Sequence, residues 1–165
     1  MAKDECNVIE KCSSSVGKGM LSEFEPQFNM LIELKDAEGN IKKSMKLHNT
    51  MTSAGKNGIM DQILAAPTLP KAGWMELGTG SPGATLLGAY LAATRIAFTS
   101  LTRLANVVTA VATWGPGVGT GAITEAGIFD VVTQNTVNMW CSASFSVINK
   151  GASDSLTITW TITGN

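Results

Sequence analysis

The strongest constraint on the fold lies near the end of the chain. Leu156, Ile158, Trp160 and Ile162 alternate with Ser155, Thr157, Thr159, Thr161 and Thr163. Apolar and hydroxyl side chains on alternate positions belong to a strand with one face buried, because successive side chains of a strand point to opposite faces. A second alternation precedes it. Val137, Met139, Cys141, Ala143, Phe145 and Val147 fall on one face, and Asn138, Trp140, Ser142, Ser144 and Ser146 on the other. The loop Asn149 to Asp154 joins the two runs, so they read as an antiparallel hairpin.

Earlier segments repeat the pattern. Phe28 to Lys35 alternates, Asp36 to Asn40 reads as a turn with Gly39 and Asn40 able to take positive φ, and Ile41 to His48 returns. Lys42, Lys43, Ser44 and Lys46 point to a solvated or edge position for that return strand. Trp74 to Leu77, Arg95 to Ser100, Arg103 to Trp114 and Ile123 to Asp130 complete the strands, and residues 83–94 read as a loose segment with a short helical turn. One helix is predicted, over about residues 53–65. Thr52 or Ser53 would cap it, Ile59, Met60, Ile63 and Leu64 form its apolar stripe, and Gly55 and Gly58 weaken its first turn. Seven or eight strands with turns between them predict an all-β fold, an antiparallel β-sandwich of jelly-roll or Greek-key type. Residues 25–165 form that domain. Residues 1–24, with the small polar stretch SSSVGKG, read as an extended N-terminal arm.

Charge is unevenly spread. Of 12 basic and 13 acidic side chains, residues 1–50 hold fifteen, whereas residues 77–165 hold six: Arg95, Arg103, Glu125, Asp130, Lys150 and Asp154. So little charge over so long a stretch points to a surface covered by other protein, hence to an assembly. The net charge of −1 provides no basic face for neutralising phosphates, so nucleic acid is not an expected partner. No apolar run reaches the length of a membrane span, so a membrane is not expected either. The opening MAKDECNVIEKC carries acids early and lacks the apolar region of a secretory signal.

Candidate chemistry is sparse. His48 is the single histidine and has no partner motif. Glu125, in the apolar run Ile123 to Phe129, reads as a structural buried carboxylate that requires backbone amides or a cation, with Arg95 and Arg103 available. Cys141 falls on an apolar face and reads as an inert buried thiol. Cys6 and Cys12 lie in the arm and admit two readings: exposed thiols, or inter-subunit disulfides under oxidising conditions. Trp140 lies opposite its strand's apolar face, and with Trp74 is a candidate interface or ligand-stacking aromatic. The Gly78–Gly80 and Gly115–Gly121 stretches lack phosphate-loop spacing. No cofactor or metal is expected.

From His48 onward, the order of motifs resembles a group of tailed-bacteriophage virion accessory proteins: head-decoration, neck or collar, and tail-fibre-associated modules. The matching pieces are Leu47-His48-Asn49-Thr50-Met51-Thr52, Trp74-Met75-Glu76-Leu77-Gly78-Thr79-Gly80, Ile123-Thr124-Glu125-Ala126-Gly127-Ile128-Phe129, Phe145-Ser146-Val147-Ile148-Asn149-Lys150 and Asp154-Ser155-Leu156-Thr157-Ile158-Thr159-Trp160. The arm is outside this pattern. The resemblance implies a non-enzymatic structural protein of the virion, assembled in the host bacterial cytoplasm. It would decorate or reinforce the capsid or neck as a homo-oligomer, trimeric or higher, against other phage structural proteins such as the major capsid or neck and tail proteins. The alternative is a tail-fibre-associated or receptor-binding module recognising a host-surface glycan.

Overall fold

The computed structural model describes residues 27–164, so the expected arm with Cys6 and Cys12 lies outside the described residues. Its elements are β1 (Gln27–Lys35), β2 (Ile41–His48), β3 (Thr50–Met51), α1 (Ser53–Asp61), β4 (Trp74–Gly78), β5 (Ile96–Ala97), β6 (Ser100–Leu104), β7 (Val107–Trp114), β8 (Gly121–Phe129), β9 (Met139–Lys150) and β10 (Ser155–Thr163). They form two five-stranded antiparallel sheets, ordered β2-β1-β10-β7-β6 and β3-β9-β8-β4-β5. The fold is an all-β sandwich with one short helix.

The predicted alternations supply the core. Phe28, Met30, Ile32 and Leu34 of β1 face inward beside Ile162, Trp160, Ile158 and Leu156 of β10. The rungs continue into β7, where Ala110 and Ala112 stand next to Trp160 and Ile158. Small residues beside large ones let the rung fill the intersheet space without voids. Met75, Leu77, Ala126, Ile128, Cys141 and Ala143 close the core from the second sheet. β2 is an edge strand, and its Lys42 and Lys46 are exposed.

Three local expectations are corrected. Residues 103–114 are not one strand. A two-residue turn at Ala105-Asn106 splits them into β6 and β7, with Ala105 at φ 50° and Leu104 opposite Val107. Residues 83–94 form an irregular loop without a helical turn. The facial pattern of β9 also breaks. Val147 is exposed and Ile148 is buried, because irregular pairing between Ile123 and Glu125 of β8 exchanges the faces of both strands.

The helix is shorter than predicted and is held differently. Thr52 caps it, its hydroxyl accepting from the Gly55 N–H at 3.1 Å, while its own N–H donates to the Trp140 carbonyl at 2.9 Å. It ends at Asp61, whose carboxylate accepts from the backbone N–H groups of Thr68 and Leu69. The stripe expected to be buried is largely exposed at Met60, Ile63 and Leu64. The buried helical residues are Gly55 and Gly58, where a Cβ would overlap the Trp140 carbonyl and indole ring respectively. The two glycines are therefore the packing face of α1, allowing the backbone to approach Trp140.

Candidate functional site

The two central motifs of the resemblance lie side by side. β4 and β8 pair antiparallel from Trp74 opposite Phe129 to Gly78 opposite Glu125. Met75, Leu77, Ala126 and Ile128 enter the core, which places Trp74, Glu76, Gly78, Glu125, Gly127 and Phe129 on the outer face of the sheet. That face is not open to water. The 79–95 loop and the 130–138 loop fold over it, and Glu76 and Glu125 are at most 1% exposed.

Glu125 is held by backbone. Oε1 accepts from the N–H groups of Gly80 at 2.9 Å and Ala89 at 2.8 Å, and Oε2 from that of Gly88 at 3.0 Å. Thr124 donates to the Gly80 carbonyl at 2.8 Å. A Cβ on Gly78 would lie 2.5 Å from Glu125 Oε1, so glycine there is a condition of the close approach. Three N–H donors compensate the desolvation of the carboxylate without a cation. Neither candidate cation pairs with it. Arg103 is exposed and donates to the Ala105 carbonyl, while Arg95 is engaged elsewhere.

Arg95 forms an ion pair with Glu76 at 2.8 Å, with each side chain 1% exposed. Its guanidinium lies 3.7 Å from the centroid of Phe129, a cation–π contact, and donates to the Thr133 carbonyl and to Thr136 Oγ1. Gln134 Nε2 donates to Glu76 Oε1 at 2.5 Å and to the Leu91 carbonyl at 2.8 Å, and its Oε1 accepts from the Ala93 N–H. Glu76 and Gln134 were missed in the sequence. Alternation along β4 carried the signal for Glu76, which sits between buried Met75 and Leu77; nothing in sequence points to Gln134.

Asp130 follows directly in the second loop. Burial raises its pKa above the ordinary carboxylate value, opposed in part by the charge of Arg95. At another position, Lys42 pairs with Asp154 at 2.8 Å, the 150–154 loop closes through Gly151 N–H to Asp154, and Lys150 donates to the Gly115 carbonyl. Desolvation lowers the Lys150 pKa, and the Lys42 hydrogen bond lowers that of Asp154. These groups hold loops in place. His48 is exposed at the end of β2. Among the described residues, no cluster of three His, Cys, Asp or Glu side chains is placed to hold a metal ion.

The aromatic candidates do not form an outward stacking face. Ile128 pairs with Cys141 and Phe129 with Met139, leaving Trp140 as the extra residue of a bulge. Its side chain packs with the core and under α1 instead of projecting to solvent, and is 9% exposed. Trp74 is half-buried against Leu87, Phe129 and Met139. Cys141 is buried, which pushes its thiol pKa up to about 12.

Near Trp140 lies an apolar cleft of 350 Å³. Ile59 of α1, Leu101 of β6, Ile128, Trp140 and Ile162 line it, with Gln62, Lys71 and Asn106 as polar members. Comparisons with models of protein families, with curated proteins and with solved structures found no match. What the chain itself defines is a β-sandwich domain whose polar interior ties loops to one sheet.

Proposed function

We propose that the chain is a non-enzymatic structural component of a bacteriophage virion, which decorates or reinforces the capsid or neck as part of a multimer. One observation carries this reading beyond the motif resemblance. Of the six charged side chains after residue 76, Arg95, Glu125, Asp130, Lys150 and Asp154 are all buried. Across residues 77–164, Arg103 is left as the exposed charged side chain. Tyr90, Leu101, Leu104, Val118, Val132, Val137 and Val147 are exposed over the same stretch. Free-standing soluble surfaces ordinarily carry interspersed charge, and uncharged apolar surfaces mark contacts with other protein.

The mechanism is burial of this surface between subunits and against a neighbouring virion protein. The buried carboxylates and Arg95 then have a mechanical role, fixing the loops that shape the contact. The arm, with Cys6 and Cys12, extends the contact to a neighbour and cross-links it in an oxidising environment.

The test is mass spectrometry of purified particles, with light scattering on the isolated protein. The expected result is the chain as a stoichiometric particle component that is multimeric in solution, with disulfide-linked species that disappear in reductant. Its absence from particles, together with a monomeric state at high concentration, would overturn the proposal.

A further inference from the structure

Among the described residues, the edge strands of the two sheets are β2 and β6 in the first and β3 and β5 in the second. Three of these edges are blunted. β3 and β5 have two residues each, too short to template another strand. β2 carries Lys42, Lys43 and Lys46, and its pairing with β1 shifts register between Leu34 and Lys35. β6 has neither device. Its five residues, Ser100-Leu101-Thr102-Arg103-Leu104, run in regular register with β7, and all are exposed, Leu101 at 56% and Leu104 at 82%.

The register shows which backbone groups face outward from this edge. The two-residue turn at Ala105-Asn106 makes Leu104 and Val107 a hydrogen-bonded pair, and such pairs recur at every second residue, at Thr102 opposite Thr109 and Ser100 opposite Val111. The Val111 carbonyl accepts from the Thr99 N–H at 2.7 Å, which agrees with the odd-numbered residues of β7 turning their backbone towards β6. The N–H and C=O groups of Leu101 and Arg103 therefore point away from β7. Among the described residues, no backbone group of another segment meets them. Donors and acceptors in a row at strand spacing are matched by another strand.

We propose that β6 pairs antiparallel with β6 of a second copy about a two-fold axis at Thr102, joining the first sheets of two sandwiches into one continuous sheet. The strand is complementary to itself in this register. Leu101 and Arg103, whose backbone groups face outward, fall opposite Arg103 and Leu101 of the second copy, and each pair exchanges both of its N–H to C=O hydrogen bonds. Thr102 meets its own copy at the axis as a non-hydrogen-bonded pair, and Thr–Thr pairs stabilise a sheet. Arg103 stands opposite a leucine, so no like charges are directly opposed. Leu101 borders the apolar cleft and is covered by the hydrocarbon stem of that arginine. A two-fold contact uses the edge once in each copy and closes at a pair. The inference deepens the multimeric part of the function proposed above and rests on it.

The test uses the full chain carrying Cys6→Ser and Cys12→Ser, in which the remaining thiol, Cys141, is buried. Residues directly opposed in a non-hydrogen-bonded pair have Cα atoms about 4.5 Å apart, within disulfide range. Thr102→Cys is therefore expected to give a disulfide-linked dimer under mild oxidation. Ser100→Cys, whose two copies would stand about 14 Å apart, is expected to give none. Thr102→Lys, with the circular dichroism of the parent, sets like charges against each other at the axis. It is expected to raise the concentration of half-association about tenfold in sedimentation equilibrium. Equal linking at positions 100 and 102 would overturn the proposed register. In a multimeric parent, an unlinked Thr102→Cys or an unchanged association of Thr102→Lys would overturn the edge pairing and leave the multimeric reading in place. A parent that stays monomeric at high concentration would overturn both.

Discussion

Glu125 Oε1 accepts a hydrogen bond from the Gly80 N–H at 2.9 Å, so the carboxylate of one strand motif fixes the turn that ends the other. The same carboxylate takes the N–H groups of Gly88 and Ala89 and thereby fastens the 79–95 loop at two places. Glu125→Gln keeps the shape but turns an amide donor towards this ring of donors. Leaving a buried N–H unpartnered, together with the loss of charge-assisted bonds, is expected to cost about 3 kcal/mol. Urea unfolding measures the loss, and faster amide exchange at Gly88 and Ala89 locates it. An unchanged unfolding midpoint would contradict the role given to Glu125.

Gly58→Ala tests the packing of α1 on Trp140. Alanine is the better helix former by about 1 kcal/mol, but its methyl would overlap the indole ring, and overpacking costs about 1–3 kcal/mol. The net expectation is a destabilised protein with altered tryptophan emission. Gly55→Ala, directed at the Trp140 backbone carbonyl, is expected to be the worse of the two, since the carbonyl belongs to β9 and has little freedom to move. A rise in Tm for either variant would show that the helix does not approach this closely.

Arg95→Met removes one member of a fully buried ion pair and leaves Glu76 without its cation. Breaking such a pair from one side costs about 3–5 kcal/mol. Adding Glu76→Gln is expected to recover part of that loss, because no uncompensated charge then remains. A double-mutant cycle by denaturant titration reads the coupling, and purely additive losses would argue against it.

Asp130 gives a pH dependence of defined sign. Its folded pKa lies above the unfolded value of 3.8, with burial the leading cause. The folded state therefore holds the proton more readily than the unfolded state. Its contribution is most favourable below pH 3.8 and declines as pH rises from there through the folded pKa. Asp130→Asn is expected to raise Tm modestly at neutral pH, with the advantage fading towards pH 3. Melting curves across that range check it; an equal shift at every pH would assign the effect to something other than titration.

The fold was legible where one face of a strand is buried and the other is wet. β1 and β10 satisfy that condition along nearly their whole length, so a period of two could be read from Phe28 to Leu34 and from Leu156 to Ile162. It failed where local geometry departs from a regular ladder. The Ala105-Asn106 turn has no glycine to announce it, and the irregular pairing of β8 with β9 moves Val147 outward although the residue pattern continues undisturbed. The helix shows a different failure. Its glycines lower helix propensity, a local cost, yet they permit contact with Trp140, a tertiary gain that no local rule registers. Burial of Glu125 was readable from its apolar neighbours. Its partners were not, because backbone amides from residues 80, 88 and 89 leave no trace in side-chain identity.

The pairing of β1 with β10 makes assembly of the first sheet depend on a strand that follows all its other members in the chain. As the polypeptide leaves the ribosome, β1 must wait for β10, and β7 waits for the same partner on one side. Until then both present naked hydrogen-bonding edges, the kind of transient exposure that makes long-range β topologies slow to form and prone to stray association. A stop codon placed before Ser155 would therefore leave a nascent product unable to close the first sheet, not a smaller version of the domain.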